Sequence, residues 1–318
     1  MVETGTRGLC ARILWWGLLL LAWATAPILL APALNDLLVL TGLYYIGGLG
    51  VGLALGQCGI VNLGQALFFG IGAYASAALS TRGVPALGGI AAGASISMAI
   101  AAALGWTILR LQGYFLGLAT LALGVIGYTL FFEWDGLTGG SLGIGGIPKL
   151  TLFGRATDSA ESFYYVVWIA AFVATWVANN LIRGRAGLLL RAGRDSGDAA
   201  VSLGVPLRAM RTAVFVLCAL LGSLAGSLFA HYASFVSVDS FGLSKSLLFL
   251  LVPVLGGMRS PAGMLVGAVF VSFAPYYLSR LGDAHQMLFG LVMIAVVVLL
   301  PQGLGGLIPM WVKRRSRA

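Results

Sequence analysis

Charge is what this chain has least of. Asp, Glu, Lys and Arg together make up 9% of 318 residues, against about 25% in an ordinary soluble domain. A water-facing surface cannot be built from so little polarity, so a soluble globule is excluded. Histidine occurs twice, at His231 and His285, with no acid or cysteine grouped beside either. Cys10, Cys58 and Cys218 stand apart with no C-x-x-C pair, so they read as small buried residues and no metal site is expected. A phosphate-binding G-x-x-x-x-G-K-[ST] loop is also missing: Lys149 follows Pro148, Lys245 follows Ser244 and Lys313 follows Val312. The chain is therefore expected to bind no ATP in that manner and no cofactor, and not to be an enzyme. Ionisable residues are scarce in the middle of the apolar runs, where an ion-coupled carrier places its acids or histidines.

What is present is apolar length. Hydrophobic residues make up 59% of the chain and the mean hydropathy is +0.98. Hydrocarbon offers backbone groups no water, which leaves helices or closed barrels. Runs approaching 20 residues, without alternation, select helices. The expected class is an all-α polytopic membrane protein, a single transmembrane domain over 1–318. Ten spans are predicted, near 13–32, 36–56, 60–80, 87–109, 113–132, 163–182, 212–232, 243–257, 263–281 and 287–308. The third is Gly-rich and holds Asn62 and Gln65, so an irregular helix is expected there. The eighth is short and contains Pro253, which makes it a candidate for a break, a tilt or a re-entrant turn.

With a cytoplasmic N-terminus, ten crossings return the C-terminus to the same side. That arrangement puts fourteen of the 19 Lys and Arg in the cytoplasm, as the positive-inside rule requires. The net charge of +9 is thus a record of loops and membrane anchors, and no nucleic-acid partner is implied. Arg7, Arg12 and the apolar run toward Ala26 also fit a signal peptide, but the run continues through Leu30, longer than such segments need. Residues 133–162 form the one long extracytoplasmic loop, with five spans on either side.

Three blocks carry candidate function. Gly56 to Tyr74 contains Gln57, Asn62, Gln65 and Tyr74. Uncharged amides inside a membrane either line an aqueous path or fasten neighbouring helices, and both readings stand. Thr138, Gly139, Gly140 and Ser141 open the Gly-rich stretch of the outer loop, either a surface turn or a place where a soluble donor arrives. Glycines four apart, at Gly48, Gly52 and Gly56, Gly113 and Gly117, Gly222 and Gly226, and Gly263 and Gly267, read as close-packing stripes.

The third block, residues 184–211, is a basic helix-compatible island between apolar runs, expected to project from the membrane toward a soluble partner. Within it Asp198, Ala199 and Ala200 precede Gly204 by the spacing acidic-Ala-Ala-x-x-x-Gly. Together with Thr138–Ile144 and the segment Ala230–Ser246, this order resembles the LivH/LivM family of branched-chain amino acid ABC transporter permeases, the LivM type in particular. The likeness runs from Gly56 to Gly257. Two departures are local: Gly256-Gly257-Met258-Arg259-Ser260 where the family has Gly-Gly-x-Gly-Thr, and Gly263-Met264 where it has Gly-Pro.

The resemblance implies a type II importer-like fold in a bacterial inner membrane with both termini cytoplasmic. It implies a second, LivH-type permease subunit, two cytoplasmic ATPases that carry the ATP, and a periplasmic binding protein. Asp198, Ala199, Ala200 and Gly204 would enter a groove on an ATPase. Ala199, Ala200, Leu203 and Val205 would fill that groove, while Arg191, Arg194 and Arg208 stay solvated or pair with acids. The competing expectation is a carrier or channel for small polar solutes such as urea or amides, working without ATP; a membrane receptor or scaffold is a further rival.

Overall fold

A computed structural model describes residues 25, 27, 31–111, 113–152, 155–157, 159–279, 285–299 and 303–304. Most of the first predicted span and the C-terminal part of the tenth lie outside the described residues. The described chain is built from helices α1 (Pro32–Cys58), α2 (Gln65–Ser80), α3 (Ala86–Ile108), α4 (Tyr114–Glu133), the single turn α5 (Asp135–Thr138), α6 (Ala160–Arg183), α7 (Arg185–Asp195), α8 (Gly197–Ser202), α9 (Leu207–Ala233), α10 (Leu243–Gly256), α11 (Pro261–Leu278) and α12 (His285–Leu299). Seven described helical segments are long and apolar enough to cross a membrane, and α2 and α12 are shorter apolar helices.

Burial sorts the helices into two shells. The most apolar stretches of α1 and α9 are 83% and 67% buried, whereas those of α3, α4 and α6 are only 22–28% buried. A helix apolar all round and enclosed by others is a core helix, while α3, α4 and α6 keep an apolar face for lipid or another subunit. Pro32 opens α1 where its missing N–H costs nothing, and Gly59 closes it in the left-handed region, φ +70°, returning its N–H to the Ala54 and Leu55 carbonyls.

Close approach depends on glycine at three of the four predicted stripes. Val252 sits over Gly48, Met264 over Gly52 and the Met258 carbonyl over Gly56; Gly226 lies against the Phe69 carbonyl, and Gly267 against the Val252 carbonyl. The fourth is a correction, because nothing approaches Gly113 or Gly117 within 4 Å of an added methyl. Gly226→Ala is accordingly expected to force α2 and α9 apart at a cost of about 1–3 kcal/mol. Gly117→Ala should be neutral or slightly stabilising. Thermal unfolding of the two variants in detergent checks the contrast; equal midpoints would contradict the packing.

The third span is a helix preceded by a short irregular segment. Residues 59–64 are non-helical and α2 begins at Gln65, beside Gly47 and Cys218 of the two core helices. Irregular backbone at this depth survives only where protein satisfies it. The eighth span is the reverse case: α10 runs unbroken through Pro253, so no break occurs there, and a 3-10 turn, Val238–Phe241, leads into it.

At the end of the bundle away from α7 and α8, the outer loop folds onto the helices. Strand β1 (Ile144–Gly145) precedes the two-residue strands β2 (Thr151–Leu152) and β3 (Arg155–Ala156), which pair with each other; β4 (Phe235–Val236) follows α9. β1 pairs antiparallel with β4, Ile144 opposite Val236. His231, fully buried, ties the loop to the core. Its Nδ1 is 2.8 Å from the Pro148 carbonyl, which can only accept, so Nδ1 carries the hydrogen and Nε2 accepts from the Ser76 hydroxyl at 2.8 Å.

Candidate functional site

Two features concentrate polarity in an apolar bundle. The first is the break before α2. Several backbone groups of that segment find partners: the Ile60 N–H reaches the Ala54 carbonyl, and the Leu63 N–H the Thr120 hydroxyl. The Gly64 N–H reaches Asn62 Oδ1, and the Ala66 N–H reaches Ser246 Oγ. Thr120 in turn donates to the Val61 carbonyl at 3.1 Å. Asn62 Nδ2 donates to Gln65 Oε1 at 3.0 Å, and Gln65 Nε2 to the carbonyls of Gly47 and Cys218 at 3.2 and 3.1 Å. Asn62 and Gln65 are fully buried, and in this arrangement their amides fasten α1, α2 and α9 together. Thr120, Cys218 and Ser246 share this node, though sequence spacing does not single them out.

Tyr74, nine residues beyond Gln65 on α2, packs on Phe131 and Phe241. It borders a cavity of about 410 Å³ between α2, α3 and α4, whose other walls are almost wholly apolar. No charged side chain lines it. A zwitterionic solute held there would leave both its charges unpaired at prohibitive cost, so this cavity is not the resting place of an amino acid. Thr138 closes one end of it and donates to the Phe131 and Trp134 carbonyls, at 2.6 and 2.8 Å, while Gly140 bonds back to the Thr138 hydroxyl. Gly139 and Gly140 both take positive φ, and Ser141 is left exposed.

The second feature is the basic elbow of α7 and α8, joined through Ser196. Eight described Arg residues gather at this end, at 110, 183, 185, 191, 194, 208, 211 and 259, with Asp195 and Asp198 the acids among the elbow residues. Three of the arginines, Arg194 exposed and Arg191 and Arg208 half-buried, keep contact with solvent while also bonding to the bundle. Arg194 Nη1 donates to the Gly56 carbonyl at 2.7 Å, and Arg191 Nη1 to Gln57 Oε1 at 2.8 Å and to the Ile182 carbonyl at 3.0 Å. Arg208 donates to the Trp106 carbonyl and lies over the Trp106 ring, 4.0 Å from its centre. Cations belong at a helix C-terminus, where carbonyls lack partners, and α1 ends there. Gln57 is the last-turn side chain that Arg191 grips.

The outward face of the elbow differs from the predicted one at one position. Ala200 is 5% exposed and turned to the protein, so it cannot fill a partner's groove. Ala199 and Asp198 are exposed, Val201 is 58% and Leu203 84% exposed, and Gly204 turns the chain at φ +79° with open space around it. Val201 adds exposed apolar surface that the spacing does not reveal. Leu203 is thus a large apolar side chain left uncovered at the polar end of the bundle.

Comparison with known proteins shows the family. Residues 33–297 match the family described as branched-chain amino acid transport system / permease component. The chain is 30% identical over 316 residues to the high-affinity branched-chain amino acid transport system permease protein LivM of Escherichia coli strain K12, covering 90% of this chain and 72% of that protein. To the LivM protein of Salmonella typhimurium it is 30% identical over 307 residues, covering 89% and 72%. A probable LivM permease of Methanocaldococcus jannaschii is 24% identical over 329 residues, covering 85% of this chain and 92% of that one. An apolar multi-helix bundle and a match across most of its length place the chain in the branched-chain amino acid transport permease family, the membrane component of ABC importers.

Proposed function

We propose that this permease passes branched-chain or related amino acids across a bacterial inner membrane by alternating access, driven by separate ATPase subunits docked on the α7–α8 elbow. The arginine clamp is the observation that carries the proposal. A groove gripping Ala199, Val201 and Leu203 would move a lever whose other side holds the last carbonyl groups of α1. α1 is the most enclosed of the long apolar segments among the described residues, so displacing its end shifts α2, α9 and α10 with it. Packed cores respond to such a pull by switching between discrete arrangements.

Sidedness follows the same reading. Eight Arg at the elbow end, against Arg82, Lys149, Arg155 and Lys245 among the described residues at the other, favour a cytoplasmic elbow. The loop carrying Thr138, Gly139, Gly140 and Ser141 would then face outward and meet a periplasmic binding protein. A second permease of the same family would cover the exposed apolar faces of α3 and α4, with two ATPases below. This chain binds no ATP in this scheme and supplies the conduit. Asn62 and Gln65 form the fulcrum at mid-bundle, and Gln57 the contact between α1 and the elbow.

Reconstituted vesicles test the proposal. Uptake of labelled leucine should require the permease pair, both ATPases, the binding protein and ATP inside the ATPase-accessible compartment. Uptake that persists without the ATPases would overturn it.

A further inference from the structure

Beneath the elbow lies a cavity of about 480 Å³ that shares Arg194, Asp198 and Val201 with the coupling scheme and extends beyond them to Arg110, Arg208 and Arg211. Arg110, Arg194, Arg208 and Arg211 line it, and Asp198 is the one carboxylate among its lining residues. Three of the guanidiniums are fixed by backbone carbonyls: Arg194 by Gly56, Arg208 by Trp106 and Arg211 by Gly193. Each guanidinium has five N–H groups, so most of these donors remain. Arg211 Nε is buried with no hydrogen-bond partner. Gly113 and Leu207, where α4 and α9 begin, also border the cavity. Neither helix start has a side-chain cap, and unpaired N–H groups at a helix start favour an anion.

The rest of the wall is apolar, with Ile60, Leu111 and Val201 beside the guanidiniums. Tyr114 and Phe115, at the start of α4, are 76% and 68% exposed. Exposed aromatics at a helix end mark the headgroup level of a bilayer. A cationic cavity at that depth, part apolar and open beside lipid-facing helices, has the composition of a headgroup site.

We propose that this cavity binds a phosphate-bearing anion, supplied by the headgroup of an acidic phospholipid in the adjoining leaflet. The phosphate oxygens accept from Arg110, Arg208 and Arg211, and the glycerol and upper acyl carbons lie along Leu111 and Ile60. Bound there, the lipid joins the α3–α4 connection to the start of α9.

Native mass spectrometry of the full chain in its purified assembly tests the site, with phosphatidylglycerol, phosphatidylcholine and inorganic phosphate offered separately. Wild type should retain phosphatidylglycerol and not phosphatidylcholine. The Arg110→Gln/Arg208→Gln double variant should lose about tenfold or more of that retention, given two charge-assisted contacts removed. Arg183→Gln/Arg185→Gln, outside the cavity, should retain it fully, and Arg110→Lys/Arg208→Lys should restore most of it, which separates lost binding from lost folding. Phosphate held in an Arg-dependent way without lipid would support the anion site and assign its ligand to solution. Equal phosphatidylglycerol retention by wild type and the Gln double variant would overturn the proposal, as would equal retention of phosphatidylcholine. Loss of a neighbouring subunit from the Gln variant with its lipid unchanged would assign the cavity to that subunit and overturn it too.

Discussion

Leu203→Asp is expected to strip the ATPase subunits from the purified assembly while the permease still inserts and folds. Leu203 is 84% exposed and touches little of its own chain, so folding has small stake in it. In a docked complex it would be the largest apolar group entering the groove, and a carboxylate there would be desolvated without a partner. Truncating a central anchor costs about 2 kcal/mol or more, which weakens association about 30-fold. Gly204→Trp should act alongside it, since φ +79° at that position strains any other residue. Asp198→Arg reverses the only acid at the tip of the elbow's second helix and should weaken docking as well. Undiminished co-purification of the ATPases with all three variants would end the docking role.

A different failure is expected from Arg191→Ala/Arg194→Ala. Here the docking surface stays whole, so ATPases should co-purify and hydrolyse ATP, yet uptake should fall steeply. The reason is mechanical: these two side chains are what joins α7 to the end of α1, through Gly56 and Gln57. Hydrogen bonds from charged groups contribute about 1.5–3 kcal/mol each. Losing even one such bond's share of the coupling corresponds to roughly a 10- to 100-fold drop in transport per ATP consumed. Parallel measurement of uptake and hydrolysis in vesicles reads it directly. If uptake and hydrolysis fell together in proportion, the arginines would be docking residues and not a transmission.

Much of the bundle was legible because hydrocarbon leaves a plain record in sequence. Apolar runs had to be helices, and the polar island of 184–211 had to leave the bilayer. Gly48, Gly226 and Gly267 are readable as crossings for the same reason, since little else permits backbones to touch. Gly113 and Gly117 show the limit of that logic: four-residue spacing gives a face but not what lies opposite. The partners in the polar node were invisible because they are distant in the chain. Thr120 is 57 residues from Leu63, Ser246 is 180 from Ala66, and Arg194 is 138 from Gly56. Only the folded arrangement shows that Asn62 repairs a broken helix, or that arginines on a soluble-looking segment grip the core. The burial of Ala200 was hidden likewise, since α8 is a single short helix whose rotation depends on Leu207 and its neighbours.

Docking and transmission both require that the elbow face the cytoplasm. A single cysteine at Leu203, in a chain whose native cysteines have been replaced, can be offered a membrane-impermeant maleimide in intact cells and in inverted vesicles. Labelling confined to inverted vesicles is the expected result. Labelling in intact cells would put the elbow on the outer face and contradict the mechanism.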